Sequence, residues 1–138
     1  SDFYQRYKSN TLVMNKYLSV IASSELKETP ENVKRLLQDE VFDIKVPNLV
    51  RSLIGSFARN ALHFHAVDGS GYTFVADKIL ELDKINPQIA SGLAGVYKDY
   101  GRLNEKAKAL MKAELEKIVN TEGLSKNVYE IVSKILKV

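Results

Sequence analysis

The sequence predicts an all-α protein in which successive helices pack on one another. Two features favour this class: apolar residues recur at helical spacing along the whole chain, and Pro, Gly and Asn interrupt that pattern at intervals. The clearest helix covers 125–136, where apolar residues recur at offsets of three, four, seven and eight, namely Val128, Ile131, Val132, Ile135 and Leu136. Such a stripe buries one side of a helix against a core.

Residues that favour helix ends mark where each helix begins or stops. Thr29 and Asn86 each precede a proline, which is tolerated at the first helical position because the N–H it lacks would be unpaired there. Ser70 and Ser125 are two further predicted N-caps, and Gly123 is a predicted left-handed C-cap. The predicted helices cover 2–8, 11–23, 30–38, 47–59, 71–84, 87–100, 104–119 and 125–136.

Segment 41–46 alternates apolar and charged residues, which is a strand pattern, but Pro47 follows at once and no partner strand is evident. We therefore predict a loop there. Short connections between helices favour antiparallel neighbours. About eight antiparallel helices stacked in this way form an α-α superhelix, a solenoid of the ARM or HEAT kind.

Composition fits one domain covering 1–138 and excludes several classes of protein. The chain has no Cys, which removes disulfide and thiolate chemistry and favours a cytoplasmic location. It has no long apolar run and no secretion signal at its start, so no membrane partner is expected. The chain begins at Ser1 and enters a helical pattern at once, which suggests a cut inside a larger protein.

The net charge of +3 is concentrated near the C-terminus. Residues 1–101 hold 12 basic and 12 acidic side chains, and residues 102–138 hold 8 and 5. In this second part the lysines alternate with glutamates, whereas a nucleic-acid-binding surface carries a denser basic stripe. We interpret the pattern as a solvated helix face and expect no nucleic-acid partner.

Two short constellations are candidates for chemistry. His63 and His65 with Asp68 offer imidazole and carboxylate ligands to a metal ion at close spacing, but such residues more often pack and form hydrogen bonds. The sequence lacks His-Glu-x-x-His, so we predict no metal ligand and no catalytic residue in this chain. The segment 68–71 could hold an anion at a helix start, although Asp and Gly make an ordinary tight turn there.

A serine nucleophile is the remaining possibility for catalysis, since Ser52, Ser56 or Ser91 would need a base such as His63 or His65 within reach. Nothing in their spacing brings such a pair together. A hydrolase that uses these histidines is the least favoured hypothesis.

Five segments, in this order and spacing, resemble the C-terminal domain of bacterial-type aminopeptidase N, a family of zinc metallopeptidases. The segments are LVMNKY (12–17), VPNLVRSLIGSF (46–57), FHAVDGSGY (64–72), NPQIAS (86–91) and LSKNVYE (124–130). The resemblance implies a non-catalytic helical domain that encloses the active site and peptide channel of a parent enzyme, which removes N-terminal residues from peptides. It also implies that zinc and the catalytic residues belong to other domains of the same polypeptide.

One site residue follows from the resemblance. Gln88, inside the matching NPQ segment, is similar to the residue that family members direct toward the side chain of the substrate's first residue. The family often has Arg after the Ala-Ser pair, whereas this chain has Gly92. The alternative hypothesis is a free-standing helical scaffold that binds a peptide or protein along a concave face.

Overall fold

The computed structural model describes residues 11–137, and within that range the chain is helical with no strand. The fold-class prediction is therefore confirmed for this part of the chain, and the predicted helix 2–8 lies outside it. The chain forms two compact units, Ser1–His63 and Phe64–Val138.

The first unit is built on three helices and has its core where they meet. Helix α1 is Thr11–Ala22, α2 is Thr29–Leu37, and α3 consists of α-helical Pro47–Val50, a π-helical segment Arg51–Gly55 and α-helical Ser56–Ala58. α1 contacts α2 and the π-helical segment. The side chains buried there are apolar: Met14, Leu18, Val33, Leu36, Leu53, Ile54 and Phe57. As predicted, no strand forms at 41–46.

Two features of this unit differ from the prediction. Thr29 does not cap α2, because its buried hydroxyl donates to the carbonyl of Ser24, 3.0 Å away, and the helix already begins at Thr29. The π-helical segment and a short helix α4, Ala61–Phe64, were not predicted. A four-residue helix is too short for a periodic signal, and a π-turn inserts a residue without changing the apolar composition.

The second unit contains the four remaining helices: α5 is Ser70–Asp83, α6 is Pro87–Ala94, α7 is Glu105–Val119 and α8 is Lys126–Leu136. α6 continues into the 3₁₀ turn Gly95–Tyr97, and a second such turn, Tyr100–Arg102, precedes α7. α6 packs on α5 and α8, and α7 also packs on both. Their buried residues include Val75, Ile79, Leu82, Ala90, Leu115, Ile118, Val128 and Val132.

The predicted caps of this unit are confirmed in part. The side chains of Asn86 and Ser125 accept hydrogen bonds from the N–H groups of Ile89 and Val128, so both cap the helices that follow. The predicted cap at Ser70 is wrong, because α5 begins at Ser70. Gly123 adopts the predicted left-handed φ, 81°, but in the turn before α8.

A polar network on the outside joins α5 to α7. Lys117 Nζ lies 2.8 Å from Asp77 Oδ1 and 2.7 Å from Glu114 Oε1, and the hydroxyl of Thr73 donates to Glu114 Oε2 at 2.8 Å. Burial opposes the charge on Lys117, but hydrogen bonds from its ammonium to Asp77 and Glu114 prevail and raise its pKa. The network adds polar contacts to a helix pair that is otherwise held by apolar burial.

Candidate functional site

Gln88 lies in the first turn of α6 with its side chain exposed. Pro87 occupies the first helical position, and Asn86 Oδ1 accepts from the N–H of Ile89 at 3.3 Å. The backbone carbonyl of Gln88 accepts a hydrogen bond of 2.9 Å from the Ser91 hydroxyl. Cap, proline and hydroxyl together fix the turn from which the amide projects.

Gln88 and Gly92 share the solvent-facing side of α6, since residues four apart lie on one helix face. Ile85, just before the helix, is 41% exposed. The opposite side is buried through Ala90, Leu93 and Ala94. We call the exposed set Ile85, Gln88 and Gly92 the α6 face. It combines an uncharged amide with apolar surface.

Space at Gly92 is open, because a Cβ added there would meet no atom within 4 Å. The position has an ordinary helical φ, so any L-residue fits the backbone. The first side-chain carbon of a larger residue would therefore meet no obstacle at this exposed position. The glycine therefore adds no charge to the α6 face at this position.

The start of α6 lies beside a buried carboxylate. Asp83, the last residue of α5, is 7% exposed. Its Oδ2 accepts from the backbone N–H of Ser125 at 2.8 Å, and its Oδ1 accepts from the Ser125 hydroxyl at 2.5 Å. This pairing joins the end of α5 to the start of α8. Nothing in the sequence pattern signals it, because the two residues are 42 positions apart.

The two histidines are bound to different groups. His63 Nε2 lies 2.8 Å from the carbonyl of Leu26, and its ring stacks on Phe57. His65 Nδ1 lies 2.6 Å from the hydroxyl of Tyr72, and burial raises the pKa of Tyr72, which keeps that hydroxyl protonated. Within residues 11–137, no three His, Cys, Asp or Glu side chains form a group that could hold a metal ion.

In the 68–71 turn, the carboxylate of Asp68 takes the place that a bound anion would occupy. The Asp68 carboxylate accepts from the N–H of Ser70 at 2.9 Å, and the Ser70 side chain and backbone together lower the pKa of Asp68. Gly69 supplies the left-handed φ, 78°, that the turn needs. The carboxylate thus occupies a donor at the start of α5 that a bound phosphate would use.

Two of the candidate serines form hydrogen bonds away from the histidines. The hydroxyl of Ser56 donates to Ser19 Oγ at 3.3 Å, and that of Ser91 donates to the carbonyl of Gln88. Neither contact activates a nucleophile, because neither acceptor is a base that could take up the hydroxyl proton.

Each unit also carries an open cavity. One, of about 540 Å³, lies in the first unit and is lined by polar and charged groups that include Glu25, Arg59 and Asn60. The other, of about 470 Å³, lies in the second unit and is mostly apolar, with Val67 and Leu110 in its wall. Neither cavity includes a residue of the α6 face.

The fold and the site can be compared with known proteins. The family model described as "Domain of unknown function (DUF3458_C) ARM repeats" matches residues 1–137. The chain belongs to the DUF3458_C family. The description of that family as ARM repeats confirms the predicted helical-repeat class.

Relatives of this DUF3458_C chain include two curated aminopeptidases. It is 36% identical to Aminopeptidase N of Haemophilus influenzae over 138 residues. This alignment covers 99% of the chain and 16% of the relative. It is 38% identical over 136 residues to Aminopeptidase N of Escherichia coli, covering 98% and 16%. The resemblance to the C-terminal part of aminopeptidase N is thereby confirmed. The chain spans 16% of the length of these relatives.

A solved structure shows the same fold. The crystal structure of Legionella pneumophila aminopeptidase A in complex with aspartic acid superposes with a TM-score of 0.90 at 34% identity. The match covers 99% of this chain and 16% of that chain. The DUF3458_C chain is thus similar in fold, over nearly its whole length, to one part of a much longer aminopeptidase.

Proposed function

We propose that residues 1–138 form the non-catalytic C-terminal domain of a zinc aminopeptidase N. The observation that carries the proposal is homology along the whole chain combined with a span of only 16% of the relatives. The rest of such an enzyme is long enough to hold the catalytic machinery. Its other domains and a peptide substrate are the partners that we propose. A chain without Cys suits a cytoplasmic parent.

The zinc ion of the parent would be bound outside this chain. His63 and His65 each engage one ring nitrogen with a separate partner, and the Asp68 carboxylate is bound within its own turn. These donors do not make the three-ligand set that catalytic zinc requires. The domain therefore contributes shape and polarity rather than ligands.

The mechanistic role that we propose is enclosure of the active site. A helical wall limits access to flexible peptides and excludes bulk water, which strengthens the electrostatic interactions of the reacting groups. Within that wall, Gln88 would face the side chain of the substrate's first residue. Its exposed and uncharged amide suits a pocket that accepts many side chains.

The decisive experiment uses the full-length polypeptide and a panel of aminoacyl anilides. We expect Gln88→Ala to change the ratios of kcat/KM between first residues by about threefold or more, because one pocket contact contributes differently to each substrate. Stability should change little, since the Gln88 side chain is exposed. The matched control is Gln38→Ala, another exposed glutamine at a helix end. Identical ratios for Gln88→Ala and the parent would remove Gln88 from the pocket.

Gly92→Arg tests whether the α6 face adjoins the peptide. Gly92 is exposed and the space around an added Cβ is open, so the variant should fold normally. A cation on this face should lower KM for peptides, which carry a free carboxylate, more than for anilides, which carry none. An equal effect on both substrate types would place the face away from the peptide.

The upstream coding sequence separates this proposal from the free-standing scaffold. An open reading frame that extends several hundred codons before Ser1 supports the domain of a larger enzyme. A frame that starts near Ser1 would favour the scaffold.

A further inference from the structure

We infer that Asp83 is a positioning residue that orients the first turn of α6 and thereby sets the first-residue preference of the parent enzyme. The inference rests on the proposed role of Gln88. The buried carboxylate of Asp83 would face no substrate itself. It would act through the exposed amide of Gln88, five positions further along the chain.

Asp83 is hydrogen-bonded twice to Ser125. Both carboxylate oxygens are used by one residue, with 2.8 Å to the N–H of Ser125 and 2.5 Å to its hydroxyl. Ser125 Oγ in turn accepts from the N–H of Val128 at 3.2 Å. Asp83 thus anchors the capping residue of α8 from the end of α5.

This anchor lies just before the start of α6 along the chain. α6 packs on both α5 and α8, so these two helices together determine its position. Only Lys84, Ile85 and Asn86 separate Asp83 from Pro87, where α6 begins, and the N–H of Asn86 donates to the carbonyl of Leu82 at 2.7 Å. A shift of α8 against α5 at this end would therefore reach the turn that carries Gln88.

The negative charge of Asp83 suits its position beside the N-cap of α8. A carboxylate is favoured at the start of α8, where the helix dipole and free N–H groups attract negative charge. Burial is tolerated because both oxygens of Asp83 accept hydrogen bonds. Asp83→Asn preserves the volume but removes the charge, and its amide can keep the contact to the Ser125 hydroxyl only by reversing the bond, with NH₂ donating to Oγ. Both bonds then lose the strength that a charged acceptor gives them.

The test compares substrate preference in variants of the full-length polypeptide. We expect Asp83→Asn and Ser125→Ala to change the kcat/KM ratios between apolar, basic and acidic first residues by about threefold, as expected for a moved pocket contact. The change should have the direction seen in Gln88→Ala and should affect KM more than kcat. Ser125→Thr keeps the hydroxyl and should retain the original ratios.

A destabilised control separates positioning from simple loss of stability. Val33→Ala removes buried volume in the first unit and lowers the unfolding temperature, whereas α5, α6 and α8 belong to the second unit. It should leave the ratios unchanged. The double variant Asp83→Asn with Gln88→Ala should match Gln88→Ala alone, because the anchor acts through that amide.

Each outcome decides a separate point. Altered ratios in Gln88→Ala with unchanged ratios in both Asp83→Asn and Ser125→Ala would overturn the positioning role and leave the proposed function intact. Unchanged ratios in Gln88→Ala would overturn the proposed role of that residue, and the inference with it. If Asp83→Asn fails to fold, the comparison of Ser125→Ala with Ser125→Thr decides whether the anchor positions Gln88.

Discussion

Gly69 and Gly92 illustrate how the same residue type can be required at one position and replaceable at another. Gly69 has a φ of 78°, and an added Cβ would lie 3.3 Å from both Cδ atoms of Leu110. Gly92 lies inside α6 with open space around it. The backbone therefore needs glycine only at the first of these positions.

This contrast gives a paired stability prediction. Gly92→Ala should raise the free energy of unfolding by about 0.5–1 kcal/mol, because alanine has the higher helix propensity and loses less backbone entropy on folding. Gly69→Ala should lower it by about 1–2 kcal/mol, because an L-residue is strained at that φ. Urea unfolding of the 138-residue chain measures both. A stabilised Gly69→Ala would contradict the left-handed turn.

The sequence predicted an N-cap correctly only where no other nearby polar group competes for the same hydrogen bonds. Asn86 and Ser125 satisfy the helix that follows them, as their positions predict. Thr29 and Ser70 do not, because Thr29 donates to Ser24 and Asp68 takes the N–H of Ser70. Which of several nearby polar groups forms the capping hydrogen bond depends on the folded path of the chain. A short sequence window does not reveal that path.

Among the elements, α1 ends on a set of side-chain donors from a distant part of the chain. Asn60, which is 8% exposed, donates from Nδ2 to the carbonyls of Ala22 and Ser24 at 3.0 and 2.8 Å. His63 lies against the carbonyl of Leu26. The last carbonyls of a helix have no partner within it, so the bond to Ala22 stabilises the end of α1. The contacts to Ser24 and Leu26 hold the loop that follows.

We expect Asn60→Ala to cost about 2 kcal/mol, because it removes the donor to the buried carbonyl of Ala22 and one of the two donors to the carbonyl of Ser24. Asn60→Asp should cost more, because its carboxylate would face two carbonyl oxygens instead of donating to them. Thermal unfolding of both variants at neutral pH measures the difference. Equal stability of the two variants would show that the Asn60 amide does not hold α1.

The link between α5 and α7 predicts a pH effect. The folded chain raises the pKa of Lys117 above its ordinary value of 10.5, so its contribution is complete below about pH 10.5 and is lost as pH rises through the folded-state pKa. Because the side chain is 40% exposed, the effect should be about 1 kcal/mol or less. Unfolding of the parent chain and of Lys117→Met should therefore converge in stability above that pH. A constant difference would contradict the linkage.

Helix positions were predictable because their signals are local, whereas the contacts between helices were not. Periodicity and caps lie within a few residues of one another, so each helix predicted within residues 11–137 has a counterpart. The helix predicted at 87–100 is too long, because its α-helical part ends at Ala94. Asp83 and Ser125 are 42 positions apart, and Asn60 reaches back 38 positions to Ala22. No periodic pattern encodes such pairs, and Gln88 was identified only through family resemblance and stays a prediction.

For the whole molecule, the relevant fact is that the chain spans 16% of the length of its curated relatives. We expect the isolated 138-residue chain to hydrolyse no aminoacyl anilide, with or without added Zn²⁺. Calorimetry should also detect no stoichiometric zinc binding, because the donors at His63, His65 and Asp68 are engaged separately. Turnover by rigorously purified chain, or a tightly bound ion, would reject the proposed division of labour.

The π-helical segment Arg51–Gly55 has a consequence for tolerance to deletions. Each helical residue advances the chain by about 100° around the axis, and a π-turn holds one residue more than an α-turn. Losing a single codon there would turn the π-turn into an α-turn that completes the same rotation, so the residues after it would keep their faces. Phe57 would stay in the core, and Asn60 would still reach the end of α1. Gene variants should therefore tolerate a one-residue deletion in this segment better than in the α-helical turns beside it.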